Sequence, residues 1–316
     1  MWLKTGRTLS TGFPECDASL DEQILLCSLS MSSGSTWRTL LIVGRTSNLP
    51  TLFSNCLAGW LLGGGGESWL RLTLLFAGAV LLYTGGMFLN DAFDAEFDAQ
   101  HRRERPIPSG AISEANVWRI GFGLLAMGLI VLLPLGLTTS VLALLLAASI
   151  LLYDAIHKIV VFSPVLMALC RFLLYLVAAS AAAGGVTGLA IWSALALGFY
   201  VVGLSYLARK ESTGVVIQRW PQLLLLVPAL LAWVVNDGAS RSAAWMFIAV
   251  FVLWNVRSLR SVWVEPRNIS RAVTGLLAGI VWVDVLAIAD QPRAVIAIFI
   301  ALFAITLGFQ RFIPAT

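Results

Sequence analysis

Residues 90–98 read NDAFDAEFD, an asparagine followed by aspartates at 91, 94 and 98. Steps of three and four residues place Asp91, Asp94 and Asp98 on one face of a helix. Like charges repel there, and an ionised carboxylate near hydrocarbon is costly unless something neutralises it. A divalent cation does so: hard Mg²⁺ takes carboxylate oxygens and keeps positions for water and phosphate. The stretch continues through Arg102, Arg103 and Arg105 into PIPSG at 106–110. The competing reading is a solvated turn whose acids pair with those arginines.

Further along, YDAIHK at 153–158 sets Tyr153, Asp154 and Lys158 at the end of an apolar run. Lys158 is placed for phosphate contact or for interfacial anchoring. Tyr153 can hydrogen-bond a diphosphate or sit at the interface as tyrosines do. Asp154 reads as a metal ligand, as a base for an acceptor, or as the i, i+4 partner of Lys158. Arg171 lies about a dozen residues into another apolar run, and a mid-membrane arginine marks a functional site by default. Pairing with Asp284 would account for both. Asn48, in the first apolar run, is expected to face a cavity, with helix-packing glue as the alternative.

These residues sit in a chain that is 59% hydrophobic and only 12% charged. With a mean hydropathy of +0.86, it lies far outside the range of a water-soluble domain. Apolar runs long enough to cross a bilayer recur at 40–62, 70–91, 114–135, 137–156, 160–183, 188–208, 220–237, 242–262, 271–290 and 294–312. The fold expected is all-α, a polytopic transmembrane bundle of nine to ten spans, occupying 39–316. Residues 1–38 are polar and irregular, and are expected to be a disordered tail or to precede a true start at Met31. Cys16, Cys27, Cys56 and Cys170 show no metal-ligand spacing and are expected to be inert.

The net charge of +4 does not point to nucleic acid, because the bases are sorted between loops. Arg102, Arg103, Arg105, Lys158, Arg209, Lys210, Arg219, Arg257, Arg260, Arg267 and Arg271 fall in or beside every second connection, and the intervening ones are nearly bare. By the positive-inside rule the basic loops are cytoplasmic, in a plasma membrane, with the aspartate cluster facing the cytoplasm. The glycines at 63–66 lack the Gly-Lys-Ser/Thr of a phosphate loop and read as a turn.

On these residues the chain resembles the UbiA superfamily of intramembrane prenyltransferases. The signature Asn-Asp-x-x-Asp-x-x-x-Asp, followed by bases and an Arg-Pro-Ile-Pro-Ser-Gly-like turn, is matched from Asn90 to Gly110. RTSNLP at 45–50 and YDAIHK at 153–158 are weaker echoes, and Arg171 stands where the family often has an intramembrane arginine. The resemblance implies a Mg²⁺-dependent transfer of an isoprenyl group from an isoprenyl diphosphate to a small acceptor, aromatic or from secondary metabolism. It implies Asp91, Asp94 and Asp98 as metal ligands. Asn48, Asn90, Arg102, Arg105, Tyr153, Lys158 and Arg171 would then surround the substrates.

The family's second motif, Asp-x-x-x-Asp, is missing. In its place stands SYLARKESTG at 205–214, with Arg209, Lys210 and Glu211. Three readings stay open: direct contact of Arg209 and Lys210 with diphosphate in place of a second Mg²⁺, a damaged site that binds an isoprenoid lipid without turning it over, or plain membrane anchoring. The run from Tyr206 to Glu211 is similar to the EboC-like branch of the superfamily. A secondary transporter is disfavoured, because no inverted repeat is found and the charges cluster at helix ends, away from the midplane. A CDP-alcohol phosphotransferase is disfavoured because its Asp-Gly and Ala-Arg signature is absent around residues 90–98.

Overall fold

A computed structural model describes residues 37–213, 220–237, 241–265 and 267–312, and every described regular element is helical. The expected tail up to residue 36, with Cys16, Cys27 and Met31, lies outside the described residues. A short helix, α1 (residues 37–43), is followed by a 3₁₀ turn and then α2 (Leu49–Leu62). Next come α3 (Trp69–Phe93), α4 (Ala95–His101), α5 (Glu114–Leu132), α6 (Leu137–Ile156), α7 (Ser163–Ala181) and α8 (Gly188–Thr213). The chain closes with α9 (Val227–Val235), α10 (Arg241–Trp263), α11 (Ile269–Ala287) and α12 (Arg293–Phe309).

All ten apolar runs of the sequence are accounted for by these helices. Seven described helices are long and apolar enough to span a bilayer; the other three runs are shorter or broken. The first breaks at Arg45, whose φ of 42° and ψ of 49° put it in the left-handed region and end α1. The seventh run begins as a 3₁₀ segment, Trp220–Leu226, and becomes α-helical only at Val227, with Pro228 in the first helical turn.

Two large apolar clusters form most of the core, with a smaller one around Val43, Phe88, Ala92 and Val117. One joins α3, α5, α6 and α7, and the other joins α8, α10 and α11; α2 contributes to both. Small residues set the approach distances. A Cβ on Gly59 would stand 2.6 Å from the Tyr175 carbonyl oxygen, which shows how closely α2 lies against α7. On α3, Gly85 faces the Gly121 carbonyl of α5, and Gly86 faces Ile150 of α6. This contact draws the inner end of α3 onto that of α6, where the polar residues of both helices meet.

Candidate active site

A cavity of about 720 Å³ lies between the two halves of the bundle. Its inner wall is apolar, with Leu52, Ala79, Leu82, Leu146, Leu174 and Ile280, and its mouth is polar. That division suits an amphiphile whose charged head sits at the mouth and whose apolar body lies among the helices.

The aspartates do not lie on one uninterrupted helical face. Asp94 ends α3 and precedes α4, so the chain turns within the motif. Asp94 and Asp98 nevertheless both line the cavity. Asp91 sits behind them, its Oδ1 3.0 Å from Arg105 Nη1 and 3.6 Å from Arg45 Nη2. Arg105 Nε also approaches Asp98 Oδ2 at 3.8 Å, so a single guanidinium spans the first and last acids of the motif. The acid–arginine pairing expected of a surface turn is thus present, but as a buried constellation: Asp98 is only 2% exposed.

Lys158 does not pair with Asp154. Its Nζ lies 2.7 Å from Asp94 Oδ1 and 3.9 Å from the centroid of the Phe97 ring, and His157 Nε2 stands 3.4 Å from the same oxygen. Burial pushes the Asp94 carboxyl up, but the hydrogen bonds from His157 and Lys158 outweigh it and hold the group below its ordinary value. For Asp98 burial prevails over Arg105 and raises it. Asp154 accepts instead from Asn90 Nδ2 at 3.0 Å, and its Oδ2 is buried with no hydrogen-bond partner among the described residues. Asn90 Oδ1 in turn accepts from Arg45 at 3.2 Å.

Deeper in the cavity wall, Arg171 donates to Asn55 Oδ1 at 2.7 Å and Thr51 Oγ1 at 3.3 Å. The expected pairing with Asp284 is indirect. Asp284 Oδ2 accepts from Asn55 Nδ2 at 2.8 Å and Ser54 Oγ at 2.6 Å, so Asn55 stands between the two charges. Asn48, Arg102 and Tyr153 line the cavity, and the Tyr153 ring stacks on His157.

Arg209 also lines the cavity, yet its Nη1 donates to the Val160 and Val161 carbonyls at 2.7 and 2.9 Å and to Ser163 Oγ at 3.1 Å. It pins the connection between α6 and α7. The side chains of Lys210 and Glu211 lie outside the described residues. Arg45 and His157, which the sequence reading did not select, also line the cavity, as does Asp154, which it weighed alongside Lys158. The first stood in RTSNLP and the other two in YDAIHK, segments already marked, but nothing in spacing alone told which side chains would turn inward.

A model of the UbiA prenyltransferase family matches residues 50–273. The chain belongs to that family. Over 98 residues it is 42% identical to the digeranylgeranylglyceryl phosphate synthase of Methanothrix thermoacetophila, covering 29% of this chain and 37% of that one. Over 105 residues it is 35% identical to the 4-hydroxybenzoate octaprenyltransferase of Thiobacillus denitrificans, covering 32% of this chain and 34% of that one. The chain thus spans about a third of the length of these curated relatives. The solved structure of a UbiA homologue from Archaeoglobus fulgidus bound to GPP and Mg²⁺ aligns with a TM-score of 0.61 at 14% identity, over 84% of this chain and 99% of that one. A solved digeranylgeranylglyceryl phosphate synthase gives 0.56 at 17% identity, over 88% and 99%. At these identities the likeness shows a shared fold.

In this UbiA-family chain the carboxylates fit Mg²⁺ by their chemistry. Among the described residues no three His, Cys, Asp or Glu side chains converge on one point. Mg²⁺ does not require such a cage, since one or two carboxylates with water and substrate phosphate complete its shell. Asp94 and Asp98, two carboxylates on the cavity wall, meet that need.

Proposed function

We propose that this protein is a Mg²⁺-dependent intramembrane prenyltransferase, moving an isoprenyl group from an isoprenyl diphosphate to a small acceptor with loss of diphosphate. The observation that carries this reading is the pairing of buried acids with partly exposed bases at the mouth of an otherwise apolar cavity, with Asp94 and Lys158 in contact at 2.7 Å. Asp94 and Asp98, with Asp91 behind them, would hold Mg²⁺, which when bound supplies positive charge to the diphosphate oxygens. Lys158, Arg102 and Arg105 add fixed positive charge where negative charge grows on the leaving group. Asn90 orients the first layer of the site through Arg45 and Asp154.

The apolar wall holds the isoprenyl body and keeps water from the reacting carbon. Arg171 and Asn48, further in, present donors to the substrates. Basic residues concentrate at the helix ends around the cavity mouth, and by the positive-inside rule that end faces the cytoplasm of a plasma membrane. The curated relatives are named for digeranylgeranylglyceryl phosphate as a product and for 4-hydroxybenzoate as a substrate.

The test is to incubate purified protein in lipid nanodiscs with labelled geranylgeranyl or farnesyl diphosphate, Mg²⁺ and a panel of aromatic and polyol acceptors. Prenylated product with stoichiometric diphosphate is the expected result. A donor that binds but is never cleaved would instead identify an isoprenoid-binding protein built on the same fold.

A further inference from the structure

The contacts between α3 and α6 form two layers. The outer layer is Asp94 with Lys158, and the inner layer is Asn90 with Asp154. Asn90 precedes Asp94 by four residues, one helical turn or about 6 Å, and Asp154 lies in the last turn of α6 ahead of the turn that carries Lys158, so each inner partner lies deeper toward the apolar end. The register is continuous, because the Asp94 amide donates to the Asn90 carbonyl at 3.0 Å.

Asp154 is unusual within this arrangement. It is 4% exposed and lines the cavity; Asn90 fixes one carboxylate oxygen, and the other has no partner among the described residues. A buried oxygen of this kind is costly unless something in the cavity donates to it. Lys158, in the turn just after the helix of Asp154, is directed at Asp94. Asp94 and Asp98, the residues that would hold an ion and through it the diphosphate, belong to the outer layer. With the diphosphate on the outer layer, the inner layer would meet the part of the substrates just inside it, namely the first carbon of the isoprenyl chain and the acceptor group that attacks it.

We propose that the Asn90–Asp154 pair is the subsite for the acceptor's hydroxyl group, in an acceptor that is an alcohol or a phenol. This rests on the prenyl-transfer reading. The hydroxyl donates to Asp154 Oδ2, which points its oxygen at the first carbon of the donor. As transfer proceeds, the bond from that carbon to the bridging oxygen breaks and its electron pair leaves with diphosphate. A bond forms from the acceptor oxygen to the carbon, and the hydroxyl proton passes to Asp154 Oδ2. The carboxylate ends as a neutral acid, and no further reactant is required.

The experiment compares wild type with Asp154→Asn, which keeps an oxygen for Asn90, in nanodiscs with Mg²⁺. Binding is measured with geranyl S-thiolodiphosphate, an unreactive donor analogue. Transfer is measured from geranylgeranyl diphosphate to geranylgeranylglyceryl phosphate, an alcohol, and to 4-hydroxybenzoate, a phenol. The proposal expects unchanged affinity for the analogue and for Mg²⁺, with transfer slowed roughly 10²–10⁴-fold at saturating acceptor, the range for losing a positioned proton acceptor. Transfer at the wild-type rate overturns it, and so does a parallel loss of analogue or Mg²⁺ binding, which would place Asp154 in the metal or diphosphate site. Absence of transfer by wild type itself would refute the prenyl-transfer reading, and is visible before any substitution is made.

Discussion

Lys158 Nζ and Asp94 Oδ1 stand 2.7 Å apart, joining the inner ends of α3 and α6 across the mouth of the cavity. The lysine is also 3.9 Å from the Phe97 ring centroid, so it is held on two sides. A cation fixed in this way can meet a diphosphate without first being ordered. Replacing it by methionine, which keeps the stem and removes the charge, is expected to weaken donor-analogue binding by about 1.5–3 kcal/mol, the worth of a charge-assisted hydrogen bond. Calorimetric titration of the analogue in the presence of Mg²⁺ checks this, and unchanged affinity would leave Lys158 as a structural partner of Asp94 only.

Arg209 spends one guanidinium nitrogen on two loop carbonyls and a serine hydroxyl. Its loss leaves those acceptors to find water at a half-buried junction. Arg209→Ala is expected to destabilise the protein by about 1–3 kcal/mol. Arg209→Lys should recover only part of that, because the shorter lysine side chain must carry its ammonium to the place of the terminal guanidinium nitrogen. Thermal unfolding in detergent distinguishes the cases. Full recovery by lysine would show that charge alone matters at this position, as membrane anchoring requires.

Asn55 couples a half-buried and a fully buried ionisable residue, accepting from Arg171 and donating to Asp284. Removing one charge strands the other, at about 3–5 kcal/mol for a broken buried pair. Arg171→Met and Asp284→Leu are therefore each expected to be strongly destabilising, and the double variant less so than the sum of the two. A double-mutant cycle read by denaturant unfolding measures the coupling; strict additivity would mean that Asn55 does not link them.

Two glycines make a matched pair for packing. A methyl at Gly59 would meet the Tyr175 backbone at 2.6 Å, whereas one at Gly123 has nothing within 4 Å. Gly59→Ala is expected to cost about 1–3 kcal/mol through overpacking. Gly123→Ala should be neutral or stabilise by up to about 1 kcal/mol, since it stiffens a helix interior. Equal melting temperatures for the two variants would contradict the close approach of α2 and α7.

Much of this was legible in the sequence, for reasons that differ from residue to residue. The apolar runs marked the helices because a bilayer imposes their length and polarity. Asn90 to Gly110 stood out because a charged cluster in an apolar chain demands an explanation. Partner choice was less accessible. Lys158 and Asp154 have the spacing of a helical ion pair, yet the helix gives way to a turn after Ile156, and both side chains find partners on α3 instead. Arg171 and Asp284 do not pair directly, because each is hydrogen-bonded to an asparagine of α2, more than a hundred residues from either. Arg45 turned inward because the first apolar run breaks there into a left-handed residue, a local choice that no periodicity reveals.

The central claim is that the acids at the mouth of the cavity hold the metal through which an isoprenyl diphosphate is cleaved. It is tested most directly by following diphosphate release from labelled geranylgeranyl diphosphate for wild type and Asp94→Ala, with and without Mg²⁺. The expected result is release by wild type that depends on Mg²⁺ and falls roughly 10²–10³-fold in the variant, in line with loss of a group that stabilises developing charge. Release that needs no Mg²⁺, or that proceeds at the same rate in Asp94→Ala, would contradict it.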